Sequence, residues 1–116
     1  MLNLIKILEK IYSMLDGFDK IPSNFDFINN EYAIEVKVAD TIFDYQERQE
    51  IPLQIRLVGV DRNKIIMIEE AERIDKIFNN EVFFNNWIVR NNPYISTYSD
   101  NDKFNIVLSY YVKNYK

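Results

Sequence analysis

Apolar residues recur along this chain at two different periods, and the switches between the periods mark its elements. In residues 2–16, Leu4, Ile5, Leu8, Ile11, Tyr12 and Leu15 fall on one face at three- and four-residue spacing, and Lys6, Glu9, Lys10 and Ser13 fall on the other. This predicts an amphipathic helix, ended by Gly17 in the left-handed conformation common just past helix C-termini. Its polar face balances acid and base, which argues against a helix lying on a membrane. Residues 18–31 mix turn formers (Pro22, Ser23, Asn24, Asn29, Asn30) with apolar anchors (Phe18, Ile21, Phe25, Phe27, Ile28), the pattern of a loop packed over a core.

From Tyr32 the period is two. Tyr32, Ile34, Val36 and Val38 alternate with Ala33, Glu35 and Lys37, and Ile51, Leu53, Ile55 and Leu57 alternate with Gln54 and Arg56. Both read as half-buried strands. Residues 42–45 either continue the first strand or begin the return. Pro52 lacks an N–H, so the second strand is expected to start there or to lie at an edge. The stretch 44–50 is the most polar in the chain, a connection projecting into solvent.

Asp61-Arg62-Asn63 breaks the pattern, and the helical period returns over 64–78. Met67, Ala71, Ile74 and Phe78 form its apolar stripe with Ile77 beside it. Glu69, Glu70, Glu72, Arg73, Asp75 and Lys76 form its wet face, with Glu69–Arg73 and Glu72–Lys76 at ion-pair spacing. Asn79 and Asn80 are the left-handed stop. The remainder is strand-like: 82–90, a turn at Asn91-Asn92-Pro93, then 94–98 and 104–112 around a hairpin loop at 99–102. On the last strand Phe104, Ile106, Leu108, Tyr110 and Val112 face the core and Asn105, Ser109 and Lys113 face away. Val107 and Tyr111 are apolar exceptions on that wet side, an area expected to be covered by another subunit or by the first helix. The sum is one α+β domain over residues 1–116, a mostly antiparallel sheet with two helices packed on it.

Composition narrows the chemistry. The chain has no Cys and no His, and only two Gly. Thiolate chemistry, the usual neutral-pH base and the commonest metal ligands are missing together, and neither Gly-rich phosphate loop can be written. Asp100 and Asp102 lack the Gly and the distal Glu of a calcium loop. Glu69 and Glu70 diverge by about 100° on a helix and do not converge on a substrate. No serine has a His partner. The net charge is −4 with acid and base interleaved, and no basic stripe is present to hold nucleic acid or to support base stacking on the aromatics. No secretory leader or apolar run of membrane-spanning length is seen, so folding in a cytoplasm is expected. These features exclude most enzyme classes and call for no cofactor or metal.

The order helix, strand, polar projection, long strand, helix, tyrosine-rich hairpin resembles the tail terminator (tail completion, head–tail joining) proteins of long-tailed phages and phage-tail-like bacteriocins. The resemblance is carried by Ile51-Pro52-Leu53-Gln54-Ile55-Arg56-Leu57-Val58-Gly59-Val60, by Glu69-Glu70-Ala71-Glu72-Arg73-Ile74, and by Ser99-Asp100-Asn101-Asp102-Lys103-Phe104-Asn105-Ile106-Val107-Leu108-Ser109-Tyr110-Tyr111-Val112. It covers nearly the whole chain as architecture and transfers no individual functional residue.

The resemblance implies a non-enzymatic virion protein of the tail or neck, assembled in a bacterial host's cytoplasm. It would form a hexameric ring that caps the tail tube, ends its growth and offers a surface to head connector and sheath proteins, with DNA passing unbound through the lumen. Within that expectation Asp44, Gln46, Glu47, Arg48 and Glu50 read as an arm contacting a neighbouring subunit or the tube, or else as a solvated hairpin tip, and Tyr111 as a contact on the sheet. The rival expectation is a small acidic phage inhibitor that mimics DNA charge. The interleaved Lys and Arg weigh against it.

Overall fold

A computed structural model describes residues 4–15, 17–38 and 41–115. Two helices, α1 (Leu4–Met14) and α2 (Lys64–Phe78), accompany six strands: β1 (Ala33–Val38), β2 (Phe43–Asp44), β3 (Arg48–Val60), β4 (Val82–Phe83), β5 (Asn86–Asp100) and β6 (Lys103–Tyr115). The strands form one antiparallel sheet in the order β1-β3-β6-β5-β4, with β2 pairing β3 below β1. This is the α+β architecture expected.

Alternation divides the sheet into two faces. Ile34 and Val36, then Ile51, Leu53, Ile55 and Leu57, then Ile106, Leu108, Tyr110 and Val112, with Ile88, all point to one side and are buried. They share one core cluster with Ile7, Ile11 and Leu15 of the first helical segment and with Met67, Ala71, Ile74 and Phe78 of α2. The stripe of α2 is the one its sequence predicts. That of α1 is rotated. Ile7 is its buried centre and Ile5 is 69% exposed, because the 7–11–15 row meets the sheet rather than the row through residue 5. The side chain of Leu4, and residues 2, 3 and 16 of the expected helix, lie outside the described residues.

Gly17 has no positive φ, so it does not terminate α1 as a left-handed residue. It is needed for close approach, since a Cβ there would lie 3.1 Å from Val36 Cγ2 and 3.3 Å from Ile34 Cγ2. At Gly59 the fit is tighter: a Cβ would stand 2.6 Å from the Glu31 carbonyl oxygen and 2.8 Å from Met67 Sδ. Of the expected left-handed stop, Asn79 instead leaves α2 in extended conformation (φ −65°, ψ 119°), and only Asn80, one residue on, is left-handed at φ 69°.

Pro52 neither starts β3 nor lies on an outer strand. The strand begins four residues earlier, and Pro52 lies inside it, opposite Tyr111 of β6; among the described residues β1 pairs with β3 as far as Leu53 and β2 as far as Glu50. The expected turn at 91–93 is instead an irregularity inside one long strand, with a register shift between Arg90 and Ile95 and a cis Asn92–Pro93 peptide. The strand-like segments 82–90 and 94–98 thus divide into a short β4, a turn through Phe84 and Asn85 (φ 46° and 61°), and β5. Asn101 and Asp102 both have positive φ, the requirement of a two-residue primed hairpin turn, so the loop is shorter than 99–102. The segment 18–31 is anchored by a Phe18–Phe25–Phe27 aromatic chain, while Ile28 is exposed.

Candidate functional site

The arm predicted over 44–50 is a small hairpin at one corner of the sheet. Phe43 pairs with Glu50 and Asp44 with Gln49, and the Tyr45 N–H donates to the Arg48 carbonyl at 2.8 Å. Gln46 and Glu47 occupy the exposed tip. The Arg48 guanidinium carbon sits 4.7 Å from the Tyr45 ring centroid, and its Nε donates to Glu50 Oε2 at 3.4 Å. Of the six residues predicted as contacts, five therefore share this hairpin. Glu50 is partly withdrawn by its ion pair.

Tyr111, the sixth, joins the arm through a neighbour that the sequence reading did not single out. Its ring meets Phe43 edge-on at 6.2 Å and 80°. Helix α1 packs on the opposite face, so Tyr111 is half-covered by the arm and not by the first helix. Ile42, Phe43 and Tyr45 are 37%, 41% and 45% exposed, which places large apolar side chains at the base of the polar segment 44–50. The signal was present as the interruption Ile42-Phe43 ahead of the acids.

Elsewhere on this open face Arg56 organises the polar residues. Its Nη2 donates to Glu35 Oε2 at 3.2 Å and its Nη1 to Asn105 Oδ1 at 3.3 Å and the Tyr98 hydroxyl at 3.5 Å. Desolvation lowers its affinity for the proton, but the Tyr98 and Glu35 contacts outweigh this and raise its pKa. Asn105, expected on the wet side, is buried here as an Arg56 partner.

The covered face holds the one buried acid-centred cluster among the described residues. Asp75, assigned by sequence to the wet side of α2, is 8% exposed. It accepts from Arg90 Nε at 3.2 Å, from Arg90 Nη2, and from the Tyr110 hydroxyl at 2.8 Å. Burial alone would raise the Asp75 pKa; the Arg90 and Tyr110 hydrogen bonds reverse this and hold it low. Burial, then the bond to Asp75, pushes the Tyr110 phenol up. Position 75 lies four residues after Ala71 and three before Phe78, on the margin of the apolar stripe, and this spacing could have revealed it. Arg90 stacks 4.0 Å over Tyr94, and a cavity of about 250 Å³ opens beside them. Both Asp75 oxygens accept hydrogen bonds, and Glu72 and Lys76 also line that cavity.

The expected Glu69–Arg73 pair is replaced by Glu70–Arg73, with Arg73 Nε donating at 2.8 Å. No group of His, Cys, Asp or Glu suited to a metal occurs among the described residues, and no described helix is long and apolar enough to cross a membrane. No protein-family model matches the chain, and no curated protein shows significant similarity to it.

Proposed function

We propose that this chain is a structural assembly protein, a tail-terminator-like subunit that closes into a hexameric ring on a phage or phage-like tail tube. The observation that carries the reading is the corner hairpin. Ile42, Phe43 and Tyr45 stand exposed beside a half-buried Tyr111, on an arm whose tip is polar. Aromatic and apolar anchors inside a polar rim are the composition of a protein contact. Set on one edge of a rigid sheet, such an arm can grip the next copy head to tail, and head-to-tail contacts close into rings when the rotation permits.

The chemistry of the chain agrees with a role in shape. Its buried acid is locked by Arg90 and Tyr110. A wall of net charge −4 does not retain duplex DNA, which carries about one negative charge per 1.7 Å. A charge mimic has less in its favour: Asp61, Glu35, Glu50, Glu70 and Asp75 are each paired with Lys or Arg.

Native mass spectrometry with negative-stain microscopy tests the proposal. A mass of six copies or a multiple of six and annular particles are expected, either from the protein alone or on adding polymerised tube protein encoded in the same gene cluster. Particles that never exceed two copies, with or without tubes, would overturn it.

A further inference from the structure

The two long edges of the sheet are treated differently. At one, β1 is capped. Phe18 lies alongside it, donating its N–H to the Ile34 carbonyl at 2.7 Å and accepting from the Val36 N–H at 2.8 Å. At the other, the first part of β5 is also occupied. Val82 and Phe83 pair with Trp87 and Asn86, the Asn80 N–H donates to the Ile88 carbonyl, and the Ile88 N–H donates to the Glu81 carbonyl, both at 2.8 Å. Past the irregularity at Arg90–Ile95 this cover ends. Residues 95–100 pair with β6 on one side and with no described strand on the other, and all are exposed.

An open edge of this kind is a template for another strand, and proteins usually blunt it with a charge, a proline, a bulge or shortness. None of these interrupts Ile95-Ser96-Thr97-Tyr98-Ser99. Pro93 and the bulge stand before the segment and Asp100 stands after it, so the blunting residues frame the open stretch instead of breaking it.

We infer that residues 95–99 pair antiparallel with the same residues of a second copy, about a two-fold axis through Thr97, joining two sheets edge to edge. The segment is complementary to itself. The axis sets Thr97 against Thr97, Ser96 against Tyr98 and Ile95 against Ser99. Thr–Thr is a favourable cross-strand pair, and no like charges meet. This register pairs all five residues. Moving the axis toward the turn draws Asp100 into the ladder, and moving it the other way draws in the irregular stretch before Ile95. A head-to-tail sheet running from one copy's β5 to the next copy's β1 is blocked where Phe18 already holds the β1 edge. Two-fold pairing therefore closes at two copies. The inference does not depend on the ring: a ring built through the arm would be doubled into two joined rings, and without a ring the product is a dimer.

The absence of Cys makes a single introduced thiol a clean reporter. Thr97→Cys, a near-isosteric change at an exposed site, is expected to give a covalent dimer on mild oxidation, while Glu69→Cys on the exposed side of α2 stays monomeric on denaturing gels. Thr97→Lys and Thr97→Glu should each fold and self-associate at least tenfold more weakly by sedimentation, and a one-to-one mixture should recover wild-type association. The inference is overturned if Thr97→Cys cross-links no more than Glu69→Cys. It is also overturned if wild type and Thr97→Lys have the same mass across a range of concentrations. Six-copy particles in both wild type and Thr97→Lys would remove this pairing and leave the ring reading standing, whereas twelve copies in wild type falling to six in Thr97→Lys is the result expected if both hold.

Discussion

The two faces of the sheet come from the same alternating strands and are held by different means. The covered face is an apolar layer under two helices, with polar groups at its margins: Asp75 with Arg90 and Tyr110, and Asn86 with Asn114. The open face is a mosaic in which Arg56 ties Glu35, Asn105 and Tyr98 together, and Tyr111 meets the arm through Phe43. Burial makes the first face intolerant, because a polar atom placed there loses water and gains nothing. The second face keeps water within reach of most of its groups, so its ion pairs contribute little to stability and its residues are available for recognition. Burial and solvation are thus divided between the sides of one sheet.

The sharpest way to break this comparison is Ile74→Asp. An unpaired carboxylate in the covered layer should cost about 4 kcal/mol or more, comparable to the ~5–15 kcal/mol that holds a domain of this size together. Loss of the cooperative thermal transition is expected. A near-native melt would mean that the layer is not the core.

Asp75→Asn ranks next. It removes the charge that Arg90 and Tyr110 share, at an expected cost of about 2–3 kcal/mol. It also tests the pH dependence. The folded pKa of Asp75 lies below its ordinary value, so its stabilisation is complete above an unfolded pKa of about 3.9 and is lost as pH falls through the folded value. Acid unfolding followed by circular dichroism should therefore be less steep on the acid limb in Asp75→Asn. An unchanged limb would show that the cluster carries no net linkage.

Arg56→Met examines the open face, where the Arg56 side chain is about one-third exposed. Loss of its guanidinium should cost about 1–2 kcal/mol in a denaturant melt, less than Asp75→Asn, chiefly because the buried Asn105 amide oxygen loses this donor. A cost near that of Asp75→Asn would erase the distinction between the faces. The smallest stability change is expected for Glu47→Lys at the arm tip, within ~0.5 kcal/mol of wild type. This variant should nonetheless lower the mass of assemblies seen by light scattering. Unaltered assembly would take the arm out of the proposed contact.

Much of this arrangement can be read in the chain, for physical reasons. The stripe Met67–Ala71–Ile74–Phe78 and the alternation from Phe104 to Val112 are legible because burial writes them at the period of the backbone. What misleads is local chemistry with two uses. Gly17 suits a helix stop and equally a close approach to Val36, and only the tertiary packing decides between them. Pro52 signals an edge, yet it sits opposite Tyr111 within a strand that pairs with β6 on one side and with β1 and β2 on the other. Asp75 sits on the boundary between stripe and surface, and the basic partner that draws it inward is 15 residues away on β5. The candidate contacts 44–50 were legible as a projection. Their apolar content was not, because Ile42 and Phe43 read equally well as the tail of the preceding strand.

The length of β3 has a mechanical consequence. Its 13 residues run unbroken from the arm to the start of the turn that leads into α2, about 40 Å of extended backbone, hydrogen-bonded to β6 along its whole course. Pairing along that whole length opposes local bending. A neighbour that pulls on one end tilts the far end with it, so a displacement at the corner reaches the opposite side of the molecule as a rotation of the whole plate.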